Sequence, residues 1–423
     1  MTSTLPRPAV GVDRARWPDV AAVANAPLRG RVAAALLNRV AGRLPFRVRH
    51  PDGRVTGAQG PTLVLHRPQA LHQRLGAAGL IGFGESYQAG DWDADDLTGL
   101  LSVLATDLAT LVPPQLQWLR HLHGARSPRA TRNTLDGSRR NIHHHYDLSN
   151  DLFALFLDDT MSYSSALFEG DPSAAGLADL APAQHRKIDR LLDAAAVGPG
   201  SRVLEIGTGW GELAIRAARR GARVDSVTLS AEQRTLALRR AAEAGVGDRV
   251  DVRLCDYREI PETPGGYDAI LSVEMIEAVG ERYWPEYAIT LDRHLGLDGR
   301  AGLQLITMAD DRLRATRGSY TWIHKYIFPG GLIPSVEAIE RTLAAHTTLA
   351  VLDRFAFGAH YAATLRLWRE RFTDRADHVA ALGFDATFRR TWEFYLSYCE
   401  AGFRTGYLDV HQLVLGRNGR GSR

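Results

Sequence analysis

The stretch VLEIGTGWGELAIRAARRG, residues 203–221, constrains this chain more than any other. It reads as a short apolar strand with Glu205 near its end, a turn carrying Gly207, Gly209 and Gly211, and an amphipathic helix. Glycines in such a turn permit positive φ and let a ligand touch the backbone at a helix start. Turns of this kind close a strand of a doubly wound α/β sheet, whose ligands bind at the carboxyl ends of the strands. A dinucleotide fingerprint would place its third glycine where this chain has Glu212, so the spacing argues against hydride chemistry.

Further short runs rich in Val, Ile and Leu fall at 224–229, 250–254, 269–273 and 302–307, with helical stretches between most of them. That order predicts buried parallel strands joined by crossover helices. The residues after each strand are therefore the ones to inspect. The second run ends VTLSAEQ, offering Thr228, Ser230 and Gln233 where many nucleotide sites place an acid. Ser230 and Gln233 equally fit an S-x-x-Q helix capping box. The third ends CDYRE, with Asp256 where an acceptor for an adenine amino group is common, and Cys255 reads as a small buried side chain. The fourth ends SVEMIEAVG, which sets Glu274 and Glu277 three apart on one face of the following turn.

At 423 residues the chain is long enough for two domains. Its net charge of +3 is unevenly spread: residues 1–140 hold 18 Arg and no Lys against 10 acids, or +8, and the remainder is −5. A basic front favours an anionic partner surface, either nucleic acid or bilayer phosphates. Residues 17–44 read as a basic amphipathic helix following Pro27, with Arg29, Arg31, Arg39 and Arg43 among its apolar positions. Such a helix can lie on an anionic membrane or pack on its own domain. Asp52-Gly53 signals a hairpin between strands around FRVRH and PTLVLHR. The segment HGARSPRATRNTLDGSRR then loses apolar periodicity. The expected organisation is an N-terminal domain over 1–120, a linker over 121–140 and a second domain over 141–423. Only Lys187 and Lys325 are lysines among 51 basic residues, which reads as coding bias. Two cysteines and the lack of any run of 18 apolar residues fit a reducing cytoplasm. His143, His144 and His145 are consecutive and cannot all face one ion, so no metal is expected.

Several segments together resemble the cyclopropane-fatty-acyl-phospholipid synthase family: NIHHHYDLSNDLFALFLDDTMSYSSALF, VLEIGTGWGE, SVTLSAEQ, TWIHKYIFPGGLIPS, FGAHYAATLRLWRERF and YCEAGFRTGYLDVHQLVL. The likeness covers residues 81–417. VEMIEAVG, LQLITM and KYIFPGGLIPS look closest to the actinobacterial fatty acid methyltransferase branch that makes tuberculostearate-type acyl groups. GFGESYQAGDWDADDL resembles the extra front domain of the phospholipid-acting members.

The resemblance implies an α/β fold of the class I S-adenosylmethionine methyltransferase type, a doubly wound sheet with a smaller N-terminal α+β domain. It implies a C-methyltransferase that adds a methyl-derived carbon across the double bond of unsaturated phospholipid acyl chains through a carbocation. The product is a ring, a methylene or a methyl branch. The cofactor would be held by Glu205, Gly207, Gly209, Gly211, Thr228, Ser230, Gln233 and Asp256, with Tyr163 and Ser164 matching the family's Tyr-Ser pair. A bicarbonate would act as proton acceptor, held by Glu277, Tyr361, Ser165, Gln304 and the backbone amide of Ile306. Ser165 stands where a Cys is usual, Gln304 where a His is usual, and Ala278 replaces a His. These departures weaken the case for ring closure more than for methyl transfer. No nicotinamide or flavin fingerprint occurs, so saturating a methylene would fall to a separate reductase. Tyr283, Trp322, Tyr326, Phe357 and Tyr361 are aromatic faces available to a cation. The expected location is cytoplasmic, peripheral on an anionic inner leaflet, with dimerisation left open. Competing readings are O- or N-methylation of a soluble small molecule, a lipid-binding protein with a relic loop, and methylation of nucleic acid, for which no N-P-P-Y-like motif appears.

Overall fold

Seven strands build the sheet that carries the glycine turn: β5 (Arg202–Ile206), β6 (Arg223–Thr228), β7 (Val250–Leu254), β8 (Tyr267–Val273), β9 (Leu295–Thr307), β10 (Leu349–Ala356) and β11 (Asp409–Arg417). The computed structural model describes residues 11–111 and 149–417, so the expected linker at 121–140 and the histidine run lie outside the described residues. The strand order is β10-β11-β9-β8-β5-β6-β7. Pairings from β9 through β8, β5 and β6 to β7 are parallel, and β11 is antiparallel to both of its neighbours. The order reverses between β5 and β8, which opens a crevice at their carboxyl ends.

Side chains on β5, β8 and β11 are buried on both faces, as continuous apolar runs require, whereas the edge strands β7 and β10 expose part of theirs. Val203, Ala269 and Leu271 pack with Leu191, Leu192 and Leu213 on one face, whereas Leu204, Ile206 and Ile270 pack with Tyr287, Leu291 and Leu303 on the other. Fully burying such a side chain stabilises the fold by about 1.5–3 kcal/mol. The predicted strands are all present; β9 begins seven residues earlier, at Leu295 and not 302. Periodicity does not announce β10 and β11.

This sheet belongs to one of two compact units, which among the described residues comprises Ser149–Arg317, Phe328–Leu367 and Leu408–Arg417. The other unit takes the front of the chain together with Gly318–Ile327 and Trp368–Tyr407. Its sheet has the order β2-β1-β3-β4, from β1 (Arg47–Arg49), β2 (Val55–Gly57), β3 (Thr62–Leu65) and β4 (Trp92–Ala94). The Asp52-Gly53 turn joins β1 to β2, with Gly53 at φ 86°; β3, expected as the hairpin partner, instead pairs parallel with β1.

The expected boundary of the front domain thus needs correction, because the chain returns to it twice. Trp92 is fully buried against Phe83 at 4.5 Å and Phe394 at 6.4 Å. Arg390 donates Nη2 to the Trp92 carbonyl at 2.9 Å and lies 4.0 Å over the Tyr87 ring. Gln88 donates to Thr391 at 2.8 Å and accepts from the Trp322 indole at 2.9 Å. Buried polar groups left without these late-chain partners would each cost about 1–3 kcal/mol. The basic helix of the front is Pro27–Ala41, which buries Gly30, Ala33, Leu37 and Ala41.

Candidate active site

The glycine turn follows β5 as its residue types dictate. Gly207, Gly209 and Gly211 all have positive φ, at 97°, 52° and 92°. A Cβ on Gly207 would lie 2.6 Å from Met275 Cγ, so only glycine fits that close approach. At Gly209 a Cβ would meet nothing within 4 Å, which leaves open space beside the backbone.

A cavity at the carboxyl ends of β5, β6 and β8 is lined by Tyr163, Ser164, Lys187, Glu205, Gly207, Gly209, Thr228, Gln233 and Glu274, among others. Burial pushes the Glu205 carboxyl up to about 8, against a hydrogen bond from Ser226. Burial also pushes the Lys187 ammonium down to about 8, opposed by Glu274, Asp158 and Glu212. Lys187 Nζ donates to Ser164 Oγ at 2.7 Å, which fixes that hydroxyl on the cavity wall.

Beyond β8 the chain turns sharply at Glu274, whose φ of 52° is unusual for a residue with a side chain. Such a conformation costs about 1–3 kcal/mol and persists where surrounding contacts over-determine it. Here Glu274 Oε1 accepts from the Ser165 backbone N–H and from Gln304 Nε2, each at 2.9 Å, and Oε2 accepts from the Tyr361 hydroxyl at 2.7 Å. Three donors on one carboxylate hold the turn and favour its charged form. Burial nevertheless raises its titration above the usual carboxylate range, opposed by those donors and by Lys187. Glu277 Oε1 accepts from the Ile306 backbone N–H, while Oε2 is buried without a hydrogen-bond partner. Burial first, and Glu274 second, push Glu277 to about 8. With one donor against three, Glu277 is the member of the pair that keeps its proton at neutral pH.

Residues 133–413 match the mycolic acid cyclopropane synthetase family. The chain belongs to this family. It is 53% identical over 421 residues to the tuberculostearic acid methyltransferase UfaA1 of Mycobacterium tuberculosis, covering 97% of this chain and 98% of that one. It is 34% identical over 349 residues to the cyclopropane-fatty-acyl-phospholipid synthase of Escherichia coli, covering 82% of this chain and 85% of that one. Among solved structures, the mycolic acid cyclopropane synthase CmaA1 complexed with SAH and CTAB aligns with a TM-score of 0.59 at 30% identity, covering 68% of this chain and 98% of that one. The chain is thus an S-adenosylmethionine-dependent methyltransferase of class I fold.

Within this synthetase-family protein, the cavity gathers seven of the expected cofactor residues: Tyr163, Ser164, Glu205, Gly207, Gly209, Thr228 and Gln233. Three others stand apart from its lining. Gly211 starts the helix Glu212–Arg219 and packs on Ala237, where a Cβ would come within 2.9 Å. Ser230 caps the helix Ala231–Glu243 by accepting from the Gln233 N–H at 3.2 Å, the capping reading of that motif. Asp256 is gripped by Arg258, whose Nε and Nη2 lie 2.8 and 2.7 Å from its two oxygens. Of the expected anion-holding set, the Ser165 backbone N–H, Gln304 and Tyr361 meet at Glu274 and the Ile306 N–H meets Glu277, whereas the Ser165 hydroxyl donates to the Ala166 carbonyl at 3.1 Å.

Two residues were missed. In sequence Glu274 reads only as one of two spaced acids and Lys187 only as coding bias, although a lysine retained among arginines is a signal for a buried ammonium. Of the expected aromatic faces, Tyr283, Phe357 and Tyr361 belong to the unit with this cavity; Trp322 and Tyr326 belong to the other.

Proposed function

We propose that this enzyme transfers a methyl group from S-adenosylmethionine to a carbon of the double bond in an unsaturated phospholipid acyl chain. The observation that carries the reading is the Glu274 carboxylate, held by three donors on the wall of the cavity that contains the glycine turn. The bound cofactor supplies an electrophilic methyl group on a sulfonium. The open space at Gly209 leaves room for it along the backbone, and Glu205, Ser164, Tyr163, Thr228 and Gln233 supply polar groups around it. An alkene is a weak nucleophile, and the cation that follows attack is quenched by water. Ile206, Leu229, Val273 and Met275 make part of the cavity wall apolar, which keeps water away. Glu274 places a carboxyl group, oriented by its three donors, on the wall of the same cavity.

The added carbon is read as a methylene or methyl branch. The UfaA1 relative named for tuberculostearic acid aligns over nearly the whole chain, and by the family resemblance Gln304 stands where a His is usual and Ala278 where many ring-forming members have one. A separate reductase would complete a saturated branch, since a hydride donor is needed.

The helix Pro27–Ala41 supports contact with an anionic inner leaflet. Leu28, Val32 and Leu36 are 75%, 61% and 49% exposed, one helical turn apart, with exposed Arg29, Arg31, Arg39 and Arg43 beside them. No helix among the described residues is long and apolar enough to cross a membrane.

Incubating the protein with S-adenosylmethionine and oleoyl-phospholipid vesicles, followed by mass spectrometry of the acyl chains, tests the reading. A gain of one CH2 is expected, with fragmentation separating methylene from ring. Methylation of a soluble acceptor with none in lipid would overturn it.

A further inference from the structure

We propose that the Glu274 carboxylate replaces bicarbonate as the proton acceptor of the reaction. The inference rests on the functional reading above, and it begins from a misfit. The family resemblance assigns a small anion to the Ser165 segment, Gln304, Tyr361 and the Ile306 amide. In this chain each of those donors is spent on a side-chain carboxylate: three bind Glu274 and the fourth binds Glu277. A bicarbonate would have to displace Glu274 and then sit beside two acids. The donor set therefore does not fit the free anion.

The position suits a base. Of the residues in this polar cluster, Glu274 is the one that lines the cavity with Gly207 and Ser164. Gln304 cannot turn away from it, because Gln304 Oε1 accepts from Gln412 Nε2 at 3.1 Å while Gln412 also donates to the Lys187 carbonyl at 3.0 Å. The neighbouring Glu277 retains its proton, so negative charge concentrates on Glu274. Its raised titration makes it a stronger base than an exposed carboxylate.

The step balances without a further reagent. The alkene π pair forms the new carbon–carbon bond as the methyl group leaves, and the carbon–sulfur bond pair stays on sulfur. The neighbouring substrate carbon becomes cationic. A C–H bond adjacent to the cation, reached after a hydride shift where the methylene is formed, then breaks. Its electron pair closes the double bond, and its proton passes to a Glu274 oxygen. The neutral glutamic acid later returns that proton to water.

The test uses the full-length protein in degassed, bicarbonate-free buffer. Wild type is expected to give no heat on calorimetric titration with sodium bicarbonate and to turn over at the same rate with and without it. Glu274→Gly accepts the left-handed backbone, frees Ser165 N–H, Gln304 and Tyr361, and is expected to bind bicarbonate. Its turnover should fall roughly 10²–10⁴-fold, the usual contribution of a general base, and recover in part with bicarbonate or formate. Glu274→Gln keeps the shape, and is expected to lose turnover while retaining cofactor affinity. Bicarbonate binding to wild type, loss of wild-type turnover on bicarbonate removal, or normal turnover in Glu274→Gln would each overturn the proposal. If wild type adds no carbon to any acyl chain, the functional reading fails, and the bicarbonate titrations still decide whether Glu274 fills the anion site.

Discussion

Gln412 on β11 donates its side-chain amide to the side-chain carbonyl of Gln304 on β9 across 3.1 Å, and this contact decides which end of Gln304 faces Glu274. Gln412 is itself oriented by Arg190, which donates to its Oε1 at 2.7 Å. An amide has one acceptor end and one donor end, so the chain Arg190, Gln412, Gln304, Glu274 runs in a single direction. Replacing Gln412 by Leu should free Gln304 to flip and present an oxygen to the carboxylate. The expected outcome is a stability loss of about 1–3 kcal/mol for the buried groups left unpaired. Turnover should fall about tenfold or more while cofactor affinity holds. Equilibrium denaturation and separate determination of kcat and KM check both.

Stability should depend on pH through Glu277. Its folded carboxyl titrates at about 8 against an ordinary value of 4.5, so between those values the native state holds a proton that the unfolded chain has released. Stability is then fully present below about 4.5, declines as pH rises and is lost through about 8, at up to about 1.4 kcal/mol per pH unit for one proton. Glu277→Gln should flatten that decline. Urea midpoints at pH 5, 6.5 and 8 for both proteins measure it, and parallel slopes would remove Glu277 as the cause.

Ser230 and Gln233 separate capping from ligand binding. Ser230→Ala should cost about 1 kcal/mol of stability, the usual loss of a helix cap, and leave S-adenosylmethionine affinity within about threefold. Gln233→Ala should weaken that affinity, because Gln233 lines the cavity. Calorimetry on both variants checks this, and a large affinity loss in Ser230→Ala would restore the serine to the binding site.

Neutralising Arg29, Arg31, Arg39 and Arg43 together should weaken sedimentation with anionic vesicles and reduce its salt dependence, each arginine near the surface contributing about 1 kcal/mol. Leu28, Val32 and Leu36 changed to Ser should also weaken it without unfolding the protein, since all three are exposed. Unchanged sedimentation in both variants would remove the helix from membrane binding.

The parts of this fold legible in sequence are those written over short stretches. Gly207 and Gly209 sit between a strand and a helix that together span 18 residues, Arg202 to Arg219, and five of the seven strands announce themselves as apolar runs. The candidate base was not legible because its partners Ser165 and Tyr361 lie 109 and 87 residues away. Nothing local distinguishes a glutamate forced into a left-handed turn from one on a surface. Strand β11 escaped for a related reason. His411 and Gln412 interrupt its apolar pattern, yet both side chains are buried, His411 beside Thr307 and Gln412 on Gln304. The split of the front unit was hidden likewise, since Gln88 and Thr391 are 303 positions apart.

That split bears on how the protein is made. A ribosome delivers Trp92 long before Phe394, and Thr98 long before Glu400, to which the threonine hydroxyl donates at 3.2 Å. Trp92 and Tyr87 must therefore wait for their Phe394 neighbour until almost all of the polypeptide has emerged. Shortened messages or early stop codons would release a fragment without the helix Ala386–Arg404, a substrate for chaperones and proteases, and no independently folding lipid-binding module.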